Sequence, residues 1–276
     1  MQPVHTMRNN SNVNALRNIF ADLSNKDFYN SLTSENLSIE QFNHNFSDQA
    51  HDLRCLHINI HSLNAKLDEF SNLINSMDVC FDIICLSEIW STNIQFHSCV
   101  LQHDNFIYDL PKSSIVGGVG IFIHKNLQFK IRNDLYMSST STNTIENLWI
   151  EIINKANKKF IIGCIYRHPN SFVADFIKIL ESNLCKINKR KYPCILLADT
   201  NIDILKMGSQ PAVRDYTDSL ISNNFLPSLL LPTRVTHSSS TLIDHINFFD
   251  NNYDKSTTVY CGNILCDVSD HFPNFF

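Results

Sequence analysis

The segment with the clearest chemical potential is residues 193–201, in which five small or apolar residues are followed directly by Asp199-Thr200-Asn201. A short apolar run without polar alternation is typical of a strand buried on both faces. Ligands bind just beyond the carboxyl ends of strands in open α/β sheets. A carboxylate and a carboxamide two residues apart therefore suit a metal or phosphate site. The alternative is an Asx turn that only closes the strand.

Other apolar segments of the chain also deliver polar residues at or near their ends. These residues are Asn59, Glu88, Tyr166, Asp244 and the pair Asp270-His271. One acid after a strand is ordinary, whereas the recurrence indicates a common site at one edge of a sheet. The alternatives are a helix cap at Asn59, a core phenol at Tyr166 and a surface pairing of Asp244 with His245.

The elements that would position these residues begin with a strand at 53–59, a helix at 64–77 and a strand at 81–88. Leu67, Phe70 and Leu73 recur at helical spacing within the middle segment, which indicates an amphipathic helix. A strand–helix–strand unit favours parallel pairing of its two strands.

The remaining segments predict mixed sheets. Residues 117–123 and 127–131 flank a short turn and predict an antiparallel hairpin, and residues 147–153 and 159–166 predict a second one. Periodicity predicts further helices at 172–187 and 213–221 and further strands at 193–198 and 242–248. We therefore predict an α/β protein in which two sheets pack together with helices outside.

The composition limits the classes of protein to consider. With 276 residues and 43% hydrophobic content, the chain can hold one domain with a sizeable core. The formal net charge of −5 argues against a protein whose whole surface binds nucleic acid, because such binding needs clustered Lys and Arg, although a localised basic groove remains possible. The nine cysteines are scattered, with several inside strand-like runs, which favours reduced thiols and no disulfide-linked partner.

The first 50 residues are polar and rich in Asn and Ser, with a short helical pattern at 13–23. We expect residues 1–50 to be a poorly ordered extension and residues 51–276 to form the globular domain. The start of the sequence has no apolar leader, and no apolar run is long enough to span a membrane. We expect an intracellular protein, in the nucleus or cytoplasm, without a membrane partner.

Taken in order, the motifs resemble the endonuclease/exonuclease/phosphatase superfamily, which includes pancreatic deoxyribonuclease and the abasic-site endonucleases. The sequence around these motifs resembles the endonuclease domain of non-LTR retrotransposons of the jockey or chicken-repeat type. The segments that carry this resemblance are 57–63, 117–122, Tyr166-Arg167-His168-Pro169, Pro232-Thr233-Arg234 and 269–273. The resemblance covers the chain from about residue 53 to residue 276.

The resemblance implies a four-layer α/β sandwich of the DNase I-like type that hydrolyses phosphodiesters with Mg2+ or Mn2+. Such ions prefer oxygen ligands, and the implied metal residues are Glu88, Asp270 and Asn59. The implied catalytic residues are Asp199, His271, Asp244, Tyr166 and Asn201. The implied DNA contacts, which position the backbone more than they specify sequence, are Arg167, His168, Thr233 and Arg234.

Two positions depart from the family pattern. Ala198 and Thr200 replace a glycine and an apolar residue beside the key Asp and Asn, and the chain ends five residues after His271, where the final strand would normally continue. The leading hypothesis is a DNA endonuclease that nicks one strand, working with a separate reverse transcriptase not encoded in this chain. The alternatives are an inactive, truncated remnant with a poorly anchored last strand, and a phosphatase or phosphodiesterase of the same superfamily.

Overall fold

The computed structural model describes residues 4–47, 53–91, 103, 105–111, 115–140, 144–154, 157–190, 192–254 and 257–276. Its helices are α1 (Val4–Leu23), α2 (Lys26–Ser31), α3 (Ile39–Phe46), α4 (Leu67–Asn75), α5 (Val173–Arg190) and α6 (Pro211–Ser222). The first eight strands are β1 (Leu32–Ser38), β2 (Cys55–Asn59), β3 (Ile83–Ser87), β4 (Asn105–Asp109), β5 (Val119–Ile123), β6 (Gln128–Ile131), β7 (Ile145–Ile153) and β8 (Lys159–Arg167). The others are β9 (Cys194–Asp199), β10 (Leu226–Pro227), β11 (Arg234–Val235), β12 (Ser240–Thr241), β13 (Asp244–Phe249), β14 (Val259–Leu265) and β15 (Asn274–Phe275).

Two mixed sheets form the body of the protein. The first has the strand order β1-β14-β15-β2-β3-β5-β4 and the second has the order β10-β13-β9-β8-β7-β6, with β11 and β12 as a separate ribbon. The sheets pack face to face, and the thiol of Cys164 on β8 lies 3.5 Å from the carbonyl oxygen of Leu86 on β3. Helices flank the sheets, so the predicted α/β class with two packed sheets is confirmed.

The first crossover unit has the predicted form. β2 and β3 pair in parallel, with Asn59 opposite Ser87 at their carboxyl ends. All five residues of each strand are buried, as expected for strands covered on both faces. The helix between them, α4, buries Phe70 and Leu73. The unit therefore brings Asn59 and the residue after β3, Glu88, to the same edge.

One predicted hairpin is confirmed and the other is wrong. β7 and β8 pair antiparallel along their whole length. β5 and β6 do not pair with each other, because β5 lies between β3 and β4 in the first sheet while β6 pairs with β7 in the second. β5 is fully buried and β6 is mostly exposed, so the short turn between them carries the chain from an inner strand of one sheet to the edge strand of the other.

Residues 13–47 require the main correction, because they pack against the rest of the protein rather than forming a poorly ordered extension. β1 extends the first sheet by pairing in parallel with β14, and Phe42 of α3 packs against Phe275. Phe28 of α2 stacks on Phe248 of the second sheet. The helical pattern at 13–23 marked part of this segment, but the sequence did not show which elements its apolar residues pack against.

The last strand is also better anchored than expected. β15 has only two residues but lies inside the first sheet, between β14 and β2. The backbone nitrogen and carbonyl of Phe276 each bond Cys55, both at 2.9 Å. In the described part of the chain, no helix combines the length and apolar character needed to cross a membrane.

Candidate active site

Neighbouring strands of the second sheet place three of the predicted polar residues side by side. Asp199 on β9 lies opposite Asp244 on β13 in an antiparallel pair, and opposite Tyr166 on β8 in a parallel pair. The fully buried run that precedes Asp199 leaves it at the end of a strand covered on both faces. The sequence pattern is thus translated into one row of side chains at the edge of the sheet.

Asn59 joins the two sheets at this edge. Its side-chain nitrogen donates to Glu88 Oε1 at 2.9 Å and to Asp199 Oδ2 at 2.8 Å. Its side-chain oxygen accepts from the backbone nitrogen of His61 at 3.2 Å. One buried amide therefore fixes a carboxylate from each sheet within hydrogen-bonding distance of a single nitrogen atom.

Glu88 is presented by a strained turn. It has φ = 55°, in the left-handed region that costs a non-glycine residue energy and is commonest at functional sites. Its carbonyl accepts from the backbone nitrogen of Ser62 at 2.8 Å, and the backbone nitrogen of Trp90 donates to the Gly117 carbonyl at 2.9 Å. Neighbouring loops thus hold the half-buried carboxylate where the strand releases it.

Asp244 and His271 form a buried ion pair, with Nδ1 of the imidazole 2.7 Å from Oδ2 of the carboxylate. Burial lowers the pKa of His271, but the charge of Asp244 and its hydrogen bond outweigh burial and raise the pKa to about 9. The ring is therefore protonated at neutral pH, which places a positive charge beside the carboxylates.

Asp199 has the opposite electrostatic environment. Burial, and then the negative charge of Asp244, raise the pKa of Asp199 to about 8. One ligand atom each of Asp199, Asp244 and His271 lies within 4.8 Å of the others. Oδ1 of Asp244 is buried without a hydrogen-bond partner among the described residues. Two carboxyl groups and one imidazolium therefore share a small buried volume and titrate as a unit.

The turn after β9 orients Asn201. Its backbone nitrogen donates to Asp199 Oδ1 at 3.0 Å and its side-chain nitrogen donates to the Arg167 carbonyl at 2.9 Å. The predicted Asx turn is therefore present, and it lies inside the cluster rather than replacing it. Ala198 lies in regular strand conformation within β9, and its φ is not positive, so the backbone there does not require the glycine of the family pattern.

Tyr166 lies opposite Asp199 in the parallel pair of β8 and β9, and it is close enough to Glu88 for the charge of that carboxylate to act on the phenol. Burial and the charge of Glu88 raise its pKa well above the usual value, so the hydroxyl keeps its proton. Its ring packs edge-on against His168 at 4.8 Å between centroids. Glu146, which belongs to none of the predicted motifs, is buried on β7 and lies 3.0 Å from His168 Nε2. A buried acid in a mostly apolar strand was the available signal.

The structure gives two of the expected DNA contacts a different place. Arg167 is 1% exposed and donates to three backbone carbonyls, those of Ser171, Thr200 and Asn201, so its guanidinium has no free face for a phosphate. Thr233 is fully buried, and its hydroxyl accepts from the backbone nitrogen of Asp244 at 3.1 Å. Both residues support the site from within the protein.

The other two expected contacts lie on the surface. Arg234 is exposed and its guanidinium lies 2.6 Å from the carboxylate of Asp270. Asp270 is also exposed and lies 3.8 Å from His61 Nδ1. His168 is partly exposed beside Glu146. Asp270 and Arg234 therefore form an exposed charged pair next to His271.

No family model matches the chain, and no curated protein sequence matches it. Solved structures do. The endonuclease domain of TRAS1, a telomere-specific non-LTR retrotransposon, aligns with a TM-score of 0.54 and 14% identity over 81% of this chain and 97% of that one. The catalytic domain of Xenopus laevis APE2 aligns with a TM-score of 0.56 and 15% identity over 81% of this chain and 90% of that one. The 3′ phosphatase NExo from Neisseria, solved with a product DNA hairpin, aligns with a TM-score of 0.56 and 17% identity over 81% of this chain and 98% of that one. The chain has a DNase I-like fold.

Within this DNase I-like fold, the described residues offer a donor set suited to a hard divalent cation. Such ions take carboxylate and carbonyl oxygens and keep several waters. The carboxylate of Glu88 is half-buried, and Asn59 fixes one of its two oxygens. The unpartnered Oδ1 of Asp244 shows that the cluster also has an unused buried acceptor. The chemistry of these donors fits Mg2+ or Mn2+.

Proposed function

We propose that this protein is a divalent-metal-dependent phosphodiesterase that acts on DNA as an endonuclease and nicks one strand. The observation that carries the proposal is the single amide of Asn59, which joins Glu88 of one sheet to Asp199 of the other. The Asp244–His271 pair lies at the same edge. This arrangement would bring the proposed general base, a bound cation and the hydrogen-bond donors around one small volume, as phosphoryl transfer requires.

The proposed base is Asp199, which would take a proton from the attacking water. A base works best when its pKa lies near the operating pH, and burial and Asp244 raise the pKa of Asp199 to about 8. Asn201 would orient the same water or a phosphoryl oxygen, because its backbone is tied to the Asp199 carboxylate.

Two donors would stabilise the charge that develops on the phosphoryl oxygens. His271 is protonated at neutral pH because Asp244 raises its pKa, and its Nε2 is the ring nitrogen that the Asp244 bond leaves available. Tyr166 keeps its hydroxyl proton and would donate it in a hydrogen bond to the scissile phosphate. Donors fixed in advance cost no reorganisation during the reaction.

The metal would be held by the Glu88 carboxylate, with Asp270 as a second or outer ligand and Asn59 orienting Glu88 or a bound water. When bound, such an ion neutralises charge on the phosphate. Glu88 is well placed for this role because Asn59 hydrogen-bonds one oxygen of its carboxylate and leaves the other oxygen for a cation. For the DNA backbone, the exposed cation of Arg234 and the partly exposed ring of His168 remain the proposed contacts.

Relaxation of supercoiled plasmid tests the proposal directly. Protein with Mg2+ or Mn2+ should convert supercoiled DNA to the nicked circle, and EDTA should stop the reaction. Glu88→Ala and His271→Ala should each remove nicking, whereas Glu69→Ala on the exposed face of α4 and His237→Ala on the exposed surface should leave it unchanged. Full activity in both site variants would refute the assignment.

The alternative substrate is a DNA 3′ end, and it is suggested by the likeness in fold to the 3′ phosphatase NExo. A panel of intact duplex, abasic duplex, 3′-phosphorylated duplex and a phosphoinositide headgroup separates the alternatives. Release of phosphate from the 3′ end without plasmid nicking would favour the phosphatase. An inactive remnant would turn over none of these substrates. The proposed retrotransposon origin would then rest on the resemblance of the sequence motifs alone.

A further inference from the structure

The turn that carries Asp199 and Asn201 is supported from inside the protein by three side chains that the proposed chemistry does not use. They are Thr200, His245 and Tyr216, and each is at most 1% exposed. Thr200 lies in the turn itself, His245 follows Asp244 on β13, and Tyr216 belongs to α6. The three come from separate parts of the chain and meet only in the folded protein.

His245 is the centre of this group. Its Nε2 lies 3.1 Å from the Leu242 carbonyl, which can only accept, so Nε2 carries the proton. Burial lowers the pKa of His245 to about 4, so the ring is neutral near pH 7 and Nδ1 presents a lone pair. The Thr200 hydroxyl lies 3.1 Å from Nδ1 and the Tyr216 hydroxyl lies 3.0 Å from it. Two buried hydroxyls thus lie within hydrogen-bonding distance of one lone pair, and the Thr200 hydroxyl also lies 3.5 Å from the Ile243 carbonyl.

The Thr200 hydroxyl also holds the backbone of the turn. It accepts from the backbone nitrogen of Ile202 at 3.3 Å, and the backbone nitrogen of Thr200 donates to the Ile243 carbonyl at 3.1 Å. An apolar side chain of the same size would keep the packing but would leave the Ile202 nitrogen without this acceptor. It would also leave Nδ1 of His245 with the Tyr216 hydroxyl alone.

The opposite side of the turn is held by Arg167, which donates to the carbonyls of Thr200 and Asn201. Asn201 has φ = 52°, and its backbone nitrogen bonds the Asp199 carboxylate. Because the turn is clamped from both sides, movement of Thr200 would move the Asp199 carboxylate and the Asn201 amide together.

We propose that Thr200 is a positioning residue, whose hydroxyl, anchored on His245, sets the orientation of Asp199 and Asn201 for phosphodiester hydrolysis. Where the family pattern has an apolar side chain at this position, the hydroxyl of Thr200 would hold the turn by hydrogen bonding instead. Tyr216 and His245 would support Thr200 in this role. The kinetic part of this inference rests on the proposed function, while the structural part rests on the hydrogen bonds alone.

Three substitutions test the proposal. Thr200→Val removes the hydroxyl at constant volume, Thr200→Ser restores a hydroxyl, and Thr217→Val removes a different buried hydroxyl, which donates to the Arg214 carbonyl within α6. For plasmid nicking with Mg2+ we expect Thr200→Val to lower kcat by about tenfold to a hundredfold. KM should stay within about twofold, because binding contacts on the surface are unchanged. Thr200→Ser should recover most of kcat, and Thr217→Val should retain it.

An NMR measurement on the same proteins does not depend on activity. The side-chain amide signals of Asn201 and the ring-nitrogen signals of His245 should shift in Thr200→Val, return in Thr200→Ser and stay in place in Thr217→Val. If wild type nicks and Thr200→Val nicks at the wild-type kcat, or if serine fails to restore kcat, the positioning role is overturned. If wild type does not nick, the proposed function fails, and unchanged Asn201 signals in Thr200→Val would then overturn the positioning role independently.

Discussion

The electrostatic coupling between Asp244 and His271 gives the sharpest prediction. The substitution Asp244→Asn keeps the size of the side chain and an oxygen that can accept from Nδ1 of His271, but removes the charge. Burial lowers the pKa of His271, and the Asp244 carboxylate is the main influence that opposes burial. Without that charge we expect the pKa of His271 to fall from about 9 to 6.5 or below.

The size of the effect follows from the pKa shift. A rise from 6.5 to about 9 corresponds to about 3 kcal/mol, at about 1.4 kcal/mol for each pKa unit. His271 is 5% exposed, so solvent screens little of this coupling. Because the folded-state pKa is raised, the stabilisation is complete below pH 6.5 and is lost as the pH rises through about 9. The Asp244→Asn variant should lack this stabilisation at every pH below about 9.

The same substitution should also move Asp199. The charge of Asp244 is, after burial, the largest influence on the pKa of Asp199, which is raised to about 8, and it outweighs the charge of His271, which lowers this pKa. The pKa of Asp199 should therefore fall even though His271 also loses its charge. Both limbs of the pH profile for kcat/KM should therefore shift to lower pH. Near pH 8 the protonated fraction of His271 should decrease by about thirtyfold, as expected for a pKa of about 6.5, with a comparable loss of nicking.

Two measurements check this reasoning. NMR titration of the imidazole, assigned by comparison with His271→Gln, gives the pKa directly, and plasmid nicking between pH 5.5 and 9.5 gives the profile. Asp215→Asn, on the exposed surface of α6, is the control for loss of one negative charge. If His271 still titrates above pH 8 in Asp244→Asn, the coupling argument is refuted. If its pKa falls while the profile stays in place, protonated His271 has no part in the reaction.

Three further predictions concern residues around the site and at the start of the chain. Arg167→Met should lower the free energy of unfolding by about 3 kcal/mol, because it leaves three buried carbonyls without their charged donor. Urea denaturation measures this loss, with Arg214→Met at an exposed position as the control. Equal stability of the two variants would contradict the prediction. Arg234→Gln should leave the thermal midpoint nearly unchanged, because exposed ion pairs contribute about 0–1 kcal/mol. It should reduce by about one the slope of the logarithm of the DNA-binding constant against the logarithm of the salt concentration. An unchanged slope would exclude Arg234 from the DNA contact. Deletion of residues 1–47 should abolish cooperative thermal unfolding, because it removes β1 from β14 and uncovers the faces of Phe275 and Phe248; a truncated protein with the full-length midpoint would show that the segment is dispensable.

The sequence alone determined the local elements and the order of the polar residues. Uninterrupted apolar runs correctly indicated β3 and β9 as buried strands, and helical spacing correctly indicated α4. Because such strands release the next residue at a sheet edge, the positions of Glu88 and Asp199 followed from the pattern. Nearby elements also followed, since β7 and β8 are joined by a short turn and pair with each other.

The pairing of elements across long separations and the burial of polar groups became apparent only in the folded protein. β1 pairs with β14 more than 200 residues away, and β5 and β6 go to different sheets although a short turn joins them. Arg167 and Thr233 looked like surface contacts but bond the backbone around the site. The physical reason is that periodicity records how much of each face is buried, whereas the hydrogen-bond partner of a strand or a side chain depends on residues brought close only by folding.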